Sequence, residues 1–169
     1  MKSKILSTLS YTGVVTLSRY TGSKKIELAQ LHNTGGSELF NFISDCFLGN
    51  FSDAENERPT KIKVLNYSIV EGSYTYTSAS GFVHLLTKPE KISKDNQSCI
   101  RYSFLIPRDV INNIANTERL ALGLYSKKSL NDESVVENFS AVCDITSAKN
   151  LFNNTSLVVD WELIITNSK

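Results

Sequence analysis

Between residues 157 and 165 the chain reads LVVDWELII, and every second side chain is large and apolar: Leu157, Val159, Trp161, Leu163 and Ile165. A period of two marks a strand with one buried face, because successive side chains point to opposite sides of the pleat. The same alternation recurs through most of the sequence. GVVTLSRY sets Val15 and Leu17 against Thr16 and Ser18, and KIELAQLH sets Ile26 and Leu28 against Lys25 and Glu27. The TGSK between them, with Gly22, predicts a hairpin. Strand patterns return in TKIKVLNYSIV, GSYTYTSA and GFVHLLT, then in CIRYSFLIP, where Ile100, Tyr102, Phe104 and Ile106 share a face, and in RLALGLYS and NFSAVCDI. KPEKISKDNQS and KKSLNDES read as polar loops, HNTGGS as a tight glycine turn, and RDVINNIAN as a short helical turn after Pro107.

One amphipathic helix is expected, at about 37–48. Ser37 stands where an N-cap belongs, Leu39, Phe40, Ile43, Cys46 and Phe47 recur every three or four residues, and Gly49 follows as a stop. Eight or nine short strands with a single helix define a mainly β chain. The expected fold is an antiparallel β-sandwich or flattened barrel, one domain spanning 1–169.

Composition narrows the function. The 169 residues are 41% hydrophobic and 21% charged with a net charge of +1, which excludes disorder, collagen and coiled coil. A near-neutral chain offers no field for a phosphate backbone, so no nucleic-acid partner is expected. Its longest apolar runs are about five or six residues where a spanning helix needs roughly 20, so no membrane partner is expected either. MKSKILSTLSYTG lacks the apolar stretch of a signal peptide, which points to a protein made in the cytoplasm. Cys46, Cys99 and Cys143 are odd in number, far apart and without a CxxC pair, as reduced buried thiols would be. The N-x-S/T triplets at Asn50, Asn66, Asn96, Asn138, Asn153 and Asn154 are read as chance products of an Asn- and Ser-rich chain.

Few residues suggest chemistry. The two histidines fall in no metal-binding spacing; His32 is expected to be exposed, and His84, inside an apolar strand, to be partly buried and hydrogen-bonded. Asp160 and Glu162 flank Trp161 on one strand face about 7 Å apart, superficially like a glycosidase pair. Because the opposite face holds the apolar stripe, theirs is read as the solvated one. No nucleophile elbow, phosphate loop or dinucleotide fingerprint is present. The expectation is no catalysis, no cofactor and no metal.

Contact with a partner has better candidates. Tyr74 and Tyr76 in SYTYTS share a face, and tyrosines supply rigid contact area at interfaces and sugar sites, although core packing competes for at least one of them. The first 26 residues carry Lys2, Lys4, Arg19, Lys24 and Lys25 and no acid, while 45–57 carry Asp45, Asp53, Glu55 and Glu57 and no base. That asymmetry would help copies meet head to tail, which makes Lys24 and Lys25 candidate contacts of a homo-oligomer.

RLALGLYS (119–126), NFSAVCDI (138–145) and SLVVDWELIITNS (156–168), taken together, resemble the closing half of small β-rich structural proteins of tailed bacteriophages. In those proteins a strand ending in a Gly-Leu-Tyr turn precedes a strand with a small residue and an aromatic, then a last strand built on a V-x-W core. HNTGGSELFNFISDCFLGNF and RPTKIKVL, in the opening half, are also similar to proteins of phage particles. The resemblance implies a virion component of head, neck or tail that works with other virion structural proteins after synthesis in the host bacterial cytoplasm. A carbohydrate-binding β-sandwich, stacking sugars on Tyr74, Tyr76 or other exposed aromatics, is the alternative.

Overall fold

The computed structural model describes residues 9–35, 58–94, 96–127 and 136–167. Ten strands run in the order β1 (Leu9–Thr21), β2 (Lys24–His32), β3 (Thr34–Gly35), β4 (Pro59–Val70), β5 (Ser73–His84), β6 (Glu90–Lys94), β7 (Gln97–Ile106), β8 (Leu120–Ser126), β9 (Ala141–Asp144) and β10 (Leu157–Asn167). They form two antiparallel five-stranded sheets, β2-β1-β10-β7-β6 and β3-β9-β8-β4-β5, faced into a sandwich. A short helix α1 (Arg108–Ile114) follows Pro107, and a turn of 3-10 helix covers Thr146–Leu151. The helix expected at 37–48 lies outside the described residues, as do Cys46 and the acidic segment 45–57.

The inward stripes make one core. Val15 and Leu17 of β1, Tyr102, Phe104 and Ile106 of β7, and all five alternating residues of β10 meet Ile62 and Val64 of β4 and Leu120, Leu122 and Leu124 of β8. Trp161 is fully buried in its middle. Its indole N–H donates to Asn33 Oδ1 at 2.9 Å, which satisfies the polar handle that a buried indole carries. Gly13 makes that contact possible, because a Cβ there would sit 1.4 Å from the same oxygen. β1 pairs with β10 from Leu9↔Asn167 to Ser18↔Val158, so strands from the two ends of the chain lie side by side at the centre of the first sheet.

The sequence missed several features of this arrangement. KPEKISKDNQS is not all loop: Glu90–Lys94 pairs with β7 through a tight turn at Asn96, whose φ of 63° an asparagine tolerates. The polar residues of that hairpin hid its alternation. Most of GSYTYTSA and the GFVH of GFVHLLT are one strand, β5, carried past Gly81 by a register shift opposite β4. Thr34 and Gly35 pair with β9 instead of forming a free turn. RLALGLYS is a strand as expected, and Gly123, Leu124 and Tyr125 lie within β8, where the resemblance to phage proteins implied a turn. His84 is exposed, not partly buried.

Candidate functional site

Two surfaces stand out, one on the outer face of each sheet. On the second sheet the outward residues of β4, β5 and β8 are unusually apolar. Leu65, Tyr67 and Ala121 form a second buried cluster there, with Tyr76, Val136, Phe139 and Val142 packed against it. Register explains the order: Tyr67 lies opposite Tyr76 and Ile69 opposite Tyr74, so all four share the outer face at the tip of the β4–β5 hairpin. Tyr67 and Tyr74 stack with centroids 5.4 Å apart, and Tyr76 meets the edge of Phe139 at 5.2 Å. The series continues through Phe139 and Tyr125 to Phe82.

The two ends of this row of rings differ in exposure. At its inner end Lys61 and Lys63 are buried with their ammonium groups 4.8 and 4.2 Å from the Phe82 ring centroid, a cation–π arrangement. Tyr125 donates to the Val136 carbonyl at 2.5 Å, and burial pushes its phenol well above the ordinary range. At the outer end Tyr74 is 53% exposed beside Ile69 at 40% and Val70 at 63%. Between them Tyr67 donates to Asp144 at 2.5 Å. Burial and that bond raise the Tyr67 pKa. Burial would raise Asp144 too, but the bonds from Tyr67 and Thr146, with Arg119 nearby, outweigh it and hold the carboxyl below its usual value.

The outer face of the first sheet is polar. Gln30, Thr16, Asp160 and Ser103 stand in one row across β2, β1, β10 and β7. Asp160 accepts from Lys25 at 2.8 Å and from Ser103 at 2.6 Å, and Glu162 accepts two bonds from Arg101 at 2.9 and 3.0 Å. Thr16, Gln30, Asp160, Glu162, Lys25 and Arg101, with Ser18 and Glu27, line an open depression of about 290 Å³. The solvated face expected for the two carboxylates is therefore corrected: the Glu162 side chain is 3% exposed and that of Asp160 14%, under the long side chains of Arg101 and Lys25.

The predicted contact residues thus fall apart into two places. Tyr74 and Tyr76 come together with Tyr67, a partner that the sequence disguised as one more residue of a buried strand. Lys25 is bound to Asp160 and Lys24 is exposed at the start of β2. β2 and β5 are edge strands of different sheets, β2 packing near β9 and β5 near β7, so the lysines and the tyrosines lie at opposite margins of the sandwich. Among the described residues no cluster of three or more His, Cys, Asp or Glu side chains is placed to hold a metal ion, and no helix is long and apolar enough to cross a membrane. Cys99 and Cys143 are buried and outside any disulfide; burial, with Asp144 adjacent, pushes the Cys143 pKa up to about 12.

No family model, no curated protein and no solved structure matches the chain.

Proposed function

We propose that this chain is a non-enzymatic structural protein of a bacteriophage virion, acting by assembly with copies of itself and with neighbouring head, neck or tail proteins. The place in a virion rests on the resemblance of 119–126, 138–145 and 156–168 to phage structural proteins. One observation carries the assembly part: the exposed pair Tyr74 and Ile69 on the outer face at the hairpin tip, continuous with the buried aromatic row behind it. Exposed aromatics anchored by packed neighbours lose little entropy when a partner covers them, which is the physics of interface hot spots. The carboxylates at 160 and 162 support the same reading, since each is held by a cation, whereas a glycosidase pair needs one protonated carboxyl group.

Stacking of a sugar on Tyr74 and Tyr76 is less well supported, because the Tyr67, Tyr74 and Tyr76 rings are turned toward one another. Two measurements test the proposal. Mass spectrometry of purified phage particles should find the protein at a stoichiometry fixed by symmetry, and sedimentation of the pure protein should show an oligomer that the double variant Ile69→Ser, Tyr74→Ser reduces to monomer. Absence from particles removes the virion assignment; an unchanged sedimentation profile removes the patch.

A further inference from the structure

We propose that the depression on the outer face of the first sheet is a binding site for a neutral saccharide, one or two sugar rings in size. Its shape comes first. Exposure rises from 3% at the Glu162 side chain and 14% at Asp160 to 36% at Arg101 and 43% at Lys25, so the carboxylates form a floor and the cations a wall. A volume of about 290 Å³ stands at the small end of ligand sites, which run from roughly 300 to 1,000 Å³.

The chemistry of the wall selects the ligand. Lys25 and Arg101 stand against Glu27, Asp160 and Glu162, so charge is close to balanced and neither a phosphate nor a polycation is favoured. A divalent cation would have to displace Lys25 from Asp160 and Arg101 from Glu162. What the site offers instead is both kinds of hydrogen-bonding partner at close quarters: carboxylate and amide oxygens that accept, and ammonium, guanidinium, amide and hydroxyl groups that donate. Sugar hydroxyls donate and accept at once and match such a wall.

The groups are also held in advance. Asp160 is fixed by Lys25 and Ser103, and the Gln30 amide donates to Glu27 at 3.3 Å, so little ordering remains for binding to do. An independent observation supplies the apolar contact that sugar sites use. Tyr20 lies directly opposite Lys25 in the β1–β2 pairing, on the same outer face as Glu27 and Ser18, and is 54% exposed. Nothing in the assembly reading requires a large exposed ring there. Across the strand pair from Lys25, a residue of the wall, it provides a platform for the C–H face of a sugar. The site is separate from the Tyr74 patch, at the other margin of the sandwich.

The test is titration of isotope-labelled protein, followed by amide chemical shifts, with maltohexaose, cellohexaose, laminarihexaose and chitohexaose, and with inorganic phosphate as a charged probe. At least one neutral oligosaccharide should shift the amides of Thr16, Ser18, Gln30 and Asp160 at millimolar concentration. Tyr20→Ala and Gln30→Ala, both at exposed positions, should each weaken that binding tenfold or more with unchanged circular dichroism, and Tyr74→Ala should leave it unaltered. No shift with any of the four sugars overturns the proposal. So does binding that maps to the β4–β5 tip, binding indifferent to Tyr20→Ala and Gln30→Ala, or a response to phosphate alone.

Discussion

Gly13, Asn33 and Trp161 act as a unit that no single residue explains. The glycine leaves room for the asparagine side chain, whose oxygen takes the indole proton, and the indole fills the centre of the core. Trp161→Ala should cost about 3 to 5 kcal/mol, the range for emptying a large aromatic site. Gly13→Ala should cost about 1 to 3 kcal/mol by overpacking and by displacing Asn33. Urea unfolding followed by circular dichroism measures both, and native tryptophan emission should be blue-shifted in the parent protein. Asp144 gives a pH prediction. Its pKa is lowered in the fold, so its contribution is present above the unfolded carboxylate pKa of about 4 and lost as pH falls below it. Stability of Asp144→Asn should therefore fall less steeply on acidification through that range than stability of the parent, in parallel denaturant titrations.

The turn of the β4–β5 hairpin follows the same steric logic at the scale of an element. Val70 pairs with Ser73, leaving two central residues, Glu71 at φ 52° and Gly72 at φ 81°. Positive φ at both positions is what a type I′ turn requires, and its twist matches that of the strands it joins. Glutamate is a poor occupant of the first position, where asparagine is favoured. Glu71→Asn should raise stability by about 0.5 to 1 kcal/mol, and Gly72→Ala should lower it by about 1 to 2 kcal/mol, the cost of a Cβ in left-handed backbone. Because this hairpin presents Tyr74 and Ile69, Gly72→Ala should also weaken self-association in sedimentation. The hairpin of β6 and β7 was unreadable in advance because Glu90, Lys91, Ser93 and Lys94 leave only Ile92 as an apolar marker on the shorter strand.

For the whole molecule the decisive fact is that β10 sits between β1 and β7 while its inward face fills the core shared by both sheets. The first sheet cannot close without β10, whose pairing with β1 and β7 is distant in sequence. Deletion of residues 157–169 should leave a chain without cooperative unfolding, checked by calorimetry and by the dispersion of amide resonances. Retention of a cooperative transition would mean that the second sheet is stable by itself.

Period-two alternation determined the strand character of the chain, the inward stripe of β10 and the burial of Trp161, while turn and breaker residues gave the β1–β2 hairpin at Gly22 and the short helix after Pro107. These depend on local geometry, in which each side chain's face is set by its neighbours along the strand. Only the tertiary structure decided which outward faces meet water. Asp160 and Glu162 read as solvated because alternation reports a face and not what covers it; Lys25 and Arg101 reach them from strands 135 and 61 residues away in sequence. Tyr67 became the third ring of the Tyr74 and Tyr76 cluster through cross-strand register, which bulges and turns shift by single residues. Both candidate surfaces are products of pairing between strands, and pairing is a property of the folded chain.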